Sequence, residues 1–199
     1  MKKDFVYLAS ASPRRSELLR QIGVPFQVKV AAIAEEPLAR ELPEAYVVRL
    51  AAAKAETIWA AAVGEVRPVL AADTAVVLDG ELLGKPASQA EAATMLERLS
   101  GRSHRVLTAV ALRHAAGLET RLSESEVRFR ATTAAERQAY CRTGEPFDKA
   151  GGYGIQGHAA VFVEELKGSY SGVVGLPLYE TAALLARCGI DFWLTARAA

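Results

Sequence analysis

The sequence predicts an α/β protein in which helices pack on a long mixed sheet. Three observations lead there. Strand-like and helix-like segments intermingle along all 199 residues, without a repeat, a low-complexity run or a clear linker. Hydrophobic residues make up 51% of the chain, enough for a substantial core. Residues 68–78 are almost wholly apolar and β-rich, the pattern of a buried strand. Residues 1–199 therefore read as a single domain, with length for two lobes around an internal cleft.

Each element has a local reason. Residues 5–8 form a first strand. Ser12 is the expected N-cap and Pro13 the first helical residue of a helix to about Gln21, with Gly23 as its stop. Residues 26–30 read as a second strand, followed by Ala34-Glu-Glu-Pro37, a loop. A long helix covers about 44–62, and the apolar strand 68–78 follows it. Asp79-Gly80 is a tight hairpin signal. Ser88-Gln-Ala-Glu91 is a capping box opening a helix that stops before Gly101. Residues 105–112 and 119–130 read as paired strands. Thr133-Ala-Ala-Glu136 is a second capping box, and its helix ends at Gly144. A glycine-rich stretch, 150–157, reads as a flexible loop. A strand over 160–166 and a helix over 177–188, ending at Gly189, complete the chain.

Bulk properties exclude several function classes. A net charge of +1 gives no support to capture of nucleic acid or of an acidic membrane. No apolar stretch is long and uniform enough to span a bilayer. Met1-Lys2-Lys3-Asp4 leads straight into the first strand, without a secretory h-region. Cys141 and Cys188 lie far apart without CxxC spacing, and read as reduced thiols of a cytoplasmic protein. His104 and His158 have no ligand spacing with each other or with a cysteine, which argues against zinc.

The chemistry-bearing residues start at the first helix. Arg14 and Arg15 fall in its first turn, at the positive end of the helix dipole, where a cation is opposed by about 0.3–1 kcal/mol. A pair kept there, with free backbone N–H groups, makes a phosphate site; the alternative is two solvated surface arginines. Ser10 and Ser12 lack a GxSxG elbow and read as a phosphate contact and a cap, not as nucleophiles. Asp73 interrupts the apolar strand. It either marks a strand end or bulge, or is held by a cation or a metal. Lys54 falls on the apolar stripe Val47, Leu50, Ala51, Lys54, Ile58, where it snorkels to the surface or reaches a phosphate or Asp73. Lys85 sits in a Gly-Lys-Pro turn. Glu35 and Glu36 are solvated acids or ligands of a hard divalent cation together with Asp73. Tyr153 and Gln156 in the glycine-rich stretch suit stacking on, and hydrogen bonding to, a base. Four cations and two or three acids suit polyphosphate chemistry. A metal neutralises charge and activates water, a carboxylate takes the proton, and the cations stabilise a leaving pyrophosphate.

Ser10-Ala-Ser-Pro-Arg-Arg15 resembles the opening signature of the Maf family. Further matches follow in family order: Arg49-Leu-Ala-Ala-Ala-Lys-Ala55, Ala72-Asp-Thr74, Gly84-Lys-Pro86, Leu99-Ser-Gly101 with His104, and Gly175-Leu-Pro-Leu178 with Glu180-Thr181. The resemblance covers essentially the whole chain. It implies an elongated mixed sheet with two α/β lobes around a cleft, like the inosine-triphosphate pyrophosphatases, and a homodimer. It implies a nucleoside triphosphate pyrophosphatase that uses a divalent metal, Mg²⁺ or Mn²⁺. Asp73 matches the proton acceptor, Glu35 the metal-binding acid, with Glu36 a weaker match, Lys54 and Lys85 the cleft lysines, and Arg15 the second signature arginine. Arg14, Thr74 and Gln156 match positions linked to base specificity. Asp148-Lys-Ala-Gly-Gly-Tyr-Gly-Ile-Gln-Gly157 is similar to the branch acting on dTTP and UTP, and a glutamine amide can pair with the O4/N3 edge of thymine or uracil. A different class of role, a nucleotide-binding regulator of septum formation and cell division, is also linked to this family; intact Asp73, Glu35 and both lysines favour the enzyme.

Overall fold

The computed structural model describes residues 5–62 and 67–193; the Met1-Lys2-Lys3-Asp4 lead-in lies outside the described residues. These residues form β1 (Val6–Leu8), α1 (Pro13–Gln21), β2 (Phe26–Val28), α2 (Pro43–Ala60), β3 (Val69–Leu78), β4 (Glu81–Leu83), α3 (Gln89–Leu99), β5 (Ser103–His114), β6 (Gly117–Phe129), α4 (Ala134–Cys141), β7 (Val163–Lys167), α5 (Tyr170–Val174) and α6 (Leu178–Arg187). The seven strands make one mixed sheet in the order β2-β1-β3-β5-β6-β7, with β4 paired to β3. β1 runs parallel to β2 and to β3, while β4 is antiparallel to β3 and β7 to β6. Parallel neighbours need crossover connections, and α1 and α2 supply them. The expected mixed α/β class is the one observed.

Local signals act largely as read. Asp79 and Gly80 both take positive φ, 54° and 83°, the pair a type I′ hairpin turn requires to match strand twist. In α4 both bonds of the Thr133–Glu136 capping box form. At α3 only half of one does: Ser88 Oγ accepts the Glu91 N–H at 3.2 Å, but the Glu91 carboxylate accepts from Ala87 N–H at 2.8 Å. The strand expected over 160–166 begins later. His158–Phe162 is a 3-10 helix, because Ala159 and Phe162 are both buried, a spacing of three that suits a 3-10 turn and not a strand. The five-residue α5 is too short to leave a periodic signal.

The chain divides into two compact units, each assembled from separate stretches. The first takes the chain up to Asp73, Thr108–Ser123 and the chain from Gly175; the second takes Thr74–Leu107 and Glu124–Val174. The first unit packs the inner faces of α1 and α2 and β1, with Val6, Leu8, Leu19, Val47, Leu50 and Ala55 fully buried.

The second unit is built around Phe129, which is fully buried. Edge-on contacts join its ring to His104 at 5.1 Å and to Tyr153 at 4.7 Å, and Phe162 lies at 6.0 Å. Such pairs add to the area they bury. His104 Nε2 lies 2.6 Å from the Tyr153 hydroxyl. Desolvation holds the buried imidazole down to about 4. Below the ordinary histidine pKa the unfolded chain therefore takes up a proton that the folded chain refuses, and stability falls as pH drops. Relative to His104→Gln, which keeps a partner for Tyr153, the wild type should lose about 2 kcal/mol more stability on going from pH 7 to about pH 4.5. Urea denaturation of both proteins at the two pH values measures it; equal losses would remove His104 as the acid-sensitive group.

Candidate active site

The centre of the first unit follows from two sequence features meeting. The inner face of α2 buries Val47, Leu50, Ala51, Lys54, Ala55 and Ile58. Asp73 is buried where β3 is otherwise apolar. Lys54 Nζ lies 2.6 Å from Asp73 Oδ1 and 2.6 Å from Glu35 Oε1. Of the two fates open to Lys54, the ammonium therefore takes the inward one. The lysine and Asp73 side chains are 11% and 10% exposed, and Glu35 is 46% exposed. One end of the triad is thus desolvated and the other open to solvent.

Burial pushes the Asp73 carboxyl above its ordinary pKa. Lys54 and Arg15 pull it back, and Glu35 adds to the rise. The outcome is a carboxylate with raised proton affinity beside two cations, which is the character of a general base.

Arg15 reaches the same centre from α1. Its Nε donates to the Gly175 carbonyl at 2.7 Å and its Nη1 to Ser10 Oγ at 3.1 Å. Burial lowers the Arg15 pKa and Arg14 adds to the fall, while Asp73 and Glu35 support the charge. Pro13 opens the helix and no acid occupies its first turn. The role expected of Ser12 needs correction. Its backbone sits at the N-cap, with its carbonyl accepting the Ser16 N–H at 3.3 Å, but its hydroxyl makes no cap bond. Instead the Ser10 hydroxyl accepts from the Ser12 N–H at 3.2 Å as well as from Arg15. Ser10 therefore ties the start of α1 to the Arg15 guanidinium. Arg14 is half-buried in the same turn.

Glu35 stands on an irregular loop tied down from α2. The Tyr46 hydroxyl donates to the Glu35 carbonyl at 2.8 Å. Arg49 grips Glu41 with two bonds, 2.6 and 2.7 Å, and donates to the Glu36 carbonyl at 3.2 Å. That paired fork holds the Glu41 carboxyl down to about 2. Burial, with Asp73 and Glu35, pushes the Tyr46 phenol up to about 12, so it stays a donor. Sequence reasoning did not single out Tyr46 or Glu41. The available signal was their placement, with Tyr46 and Arg49 three apart on one helix face and Glu41 just before it.

Thr74, Lys85 and Gln156 belong to the second unit. Lys85 is exposed in the Gly84-Lys-Pro86 turn, and Gln156 is exposed in the glycine-rich segment. The segment contains a 3-10 turn, Ala150–Gly152, and closed backbone bonds. Gly151 N–H donates to the Gly84 carbonyl at 3.0 Å, which ties the glycine-rich segment to the residue before Lys85. Gly151 has φ 69°, and a Cβ there would sit 2.9 Å from the Val76 side chain. No other residue fits. Tyr153 is a correction too. At 6% exposure, with its ring against Phe129 and its hydroxyl on His104, it anchors the segment and offers no face to a base.

Fit to a divalent cation can be tested on the donor set. Glu35 and Asp73 aim one oxygen each at the same cationic nitrogen. Both are hard carboxylates, and among the described residues no third His, Cys, Asp or Glu joins them in a metal-holding group. Two carboxylates suit an ion of the Mg²⁺ kind, which completes its shell with water and substrate phosphates; a dedicated protein cage would need more ligands.

The model of a family described as Maf-like protein matches residues 5–188. A dTTP/UTP pyrophosphatase of Methylobacillus flagellatus is 51% identical over 185 residues, covering 93% of each chain. One of Cupriavidus pinatubonensis is 50% identical over 198 residues, covering 95% of this chain and 99% of its own. One of Ralstonia nicotianae is 52% identical over 195 residues, covering 93% and 94%. No described helix is long and apolar enough to cross a membrane.

Proposed function

We propose that this chain, which belongs to the Maf-like protein family, is a nucleoside triphosphate pyrophosphatase that hydrolyses dTTP and UTP to the monophosphate and pyrophosphate. The observation that carries the reading is the Lys54 ammonium bridging a buried Asp73 and an exposed Glu35. The names of relatives at about half identity support the substrate class.

The family resemblance divides the work among the residues as follows, and the surroundings of Asp73, Lys54 and Arg15 support their part. Water attacks the α-phosphorus, the bond from that phosphorus to the bridging oxygen breaks, and pyrophosphate leaves. Asp73, with its raised proton affinity, takes the proton from the water. Lys54 keeps Asp73 oriented and its charge compensated. Arg15, held by Ser10 and Gly175, meets phosphate oxygens as a fixed fork; Arg14 and Lys85 add positive charge for the leaving pyrophosphate. Glu35 and Asp73 would hold Mg²⁺ or Mn²⁺, which when bound neutralises phosphate charge and makes water more acidic. The Gln156 amide both donates and accepts, as the O4/N3 edge of thymine or uracil requires, and Thr74 and Arg14 share in choosing the base. Homodimerisation rests on the family resemblance, and a cytoplasmic location on the spacing of the two cysteines.

A pyrophosphate-release assay over all ribo- and deoxyribonucleoside triphosphates, with Mg²⁺ and with chelator, tests this. Metal-dependent release from dTTP and UTP, with little from purine triphosphates, is the expected result. Gln156→Ala and Arg14→Ala should each change the ranking among bases more than Lys85→Ala, which should slow all substrates alike. Equal losses on every triphosphate for all three variants would remove the specificity assignment. Absence of release from any triphosphate would refute the enzyme and favour a nucleotide-binding regulator.

A further inference from the structure

Gln156 is presented by a turn that does not hold itself. Gly154-Ile-Gln-Gly157 is closed by one backbone bond, Gly157 N–H to the Gly154 carbonyl at 3.0 Å. Glycines at both ends give that turn more freedom to lose than any other residue pair would. A base-reading amide must be fixed to within about half an ångström to discriminate. Something outside the turn has to supply that order.

Both ends of the turn lead to one carboxylate. On one side Glu145 Oε2 accepts the His158 N–H at 2.8 Å, next to Gly157. On the other, Glu145 Oε1 accepts from the Tyr140 hydroxyl at 3.0 Å, and the Gly154 backbone hydrogen-bonds that phenol in turn. Glycine at 157 is what lets the carboxylate lie underneath, since a Cβ there would fall 2.3 Å from Glu145 Oε2. Glu145 is itself fixed: its N–H donates to Thr143 Oγ1 at 3.2 Å and its carbonyl accepts from Lys149 Nζ at 2.8 Å. Its side chain thus spends its acceptors on the two flanks of the Gln156 turn. No part of the chemistry assigned above uses it.

We infer that Glu145, relayed through Tyr140, is the positioning residue that sets base discrimination by holding the Gln156 turn. The inference rests on the reading that Gln156 faces the base. Glu145→Gln keeps size and one acceptor, but its NH₂ cannot accept, so either the His158 N–H loses its partner or the Tyr140 hydroxyl must give up donating here. Tyr140→Phe removes only the relay.

The experiment measures kcat/KM for dTTP and dGTP in wild type, Glu145→Gln, Tyr140→Phe, the double variant, and Glu97→Gln. The last removes a carboxylate from an ion pair with Arg137 in the same unit. The dTTP-to-dGTP ratio should fall about tenfold in each single variant, the scale of one lost hydrogen bond, and no further in the double variant. Saturated dTTP turnover should change less than threefold, and Glu97→Gln should leave the ratio alone. A ratio unchanged in folded Glu145→Gln, or a ratio lowered equally in Glu97→Gln, overturns the inference. If Glu145→Gln does not fold, the milder Tyr140→Phe decides in the same way. A wild type that shows no preference for dTTP overturns the proposed function and this inference with it. A wild type that prefers dTTP beside a Glu145→Gln that prefers it equally overturns this inference alone.

Discussion

Asp73→Asn is expected to lower turnover of dTTP by roughly 10²–10⁴, the range for loss of a general base, while a non-hydrolysable dTTP analogue still binds. The substitution is isosteric, and its amide oxygen can still accept from Lys54, so the geometry around the substrate should persist. What disappears is the proton acceptor. A second expectation separates this site from an ordinary structural aspartate. Burial is the largest influence on the Asp73 carboxyl and works against its charge. The ionised group therefore costs folding energy, and the neutral asparagine should leave the protein at least as stable as the wild type. Calorimetric titration with the analogue and a urea titration measure both. Loss of binding alongside normal residual turnover would refute the general-base role.

Lys54→Met should have the second large effect, in the opposite thermodynamic direction. Methionine fits the same helical stripe, so the packing of α2 is largely kept. The buried carboxylate of Asp73 would then face Glu35 without its ammonium. Removing one partner of a buried pair costs about 3–5 kcal/mol, with the lower end expected because Glu35 is half open to solvent. Turnover should fall by about 10²-fold or more, as for other preorganised charges. The double variant Lys54→Met with Asp73→Asn should regain part of the lost stability, because the uncompensated charge has gone. Strict additivity in urea denaturation would mean that the two groups do not act as a pair in solution.

How much of this was legible depends on how local the determinant is. The Asp79-Gly80 turn and the Thr133 capping box are written within four residues and form as written, and α1 starts at Pro13 as read although the Ser12 hydroxyl does not cap it. The strand order is not local: β3 beside β1, and β5 beside β3, are decided by crossovers that periodicity does not encode. The same limit applies to the site. Lys54 and Asp73 were visible as polar residues in apolar settings, but whether the lysine turned inward depended on what lay opposite α2. Glu35 was visible as one of two neighbouring acids that the residues alone left equal; the resemblance favoured Glu35, and in the fold it is Glu35 that meets Lys54 while the Glu36 backbone carbonyl is held by Arg49. Tyr153 was misjudged because an aromatic ring beside glycines looks alike whether it packs inward or stacks outward. Glu145 left no signal, because nothing in the sequence marks its partners, the His158 backbone N–H and the Tyr140 hydroxyl, as converging on one carboxylate.

The bond between Arg15 and the Gly175 carbonyl spans 160 residues of sequence, and this sets an order of events during synthesis. A nascent chain that has extruded α1 carries its arginine without that anchor until the segment beyond residue 174 has emerged. At ordinary translation rates this is a delay of roughly ten to thirty seconds. The first unit draws on three separated stretches of chain, so it is complete only when the last of them has emerged. A fragment released before Gly175 would contain Asp73, Lys54 and Glu35 yet lack the carbonyl that holds Arg15. Competence at this centre therefore arrives late and all at once, instead of building up as the chain lengthens.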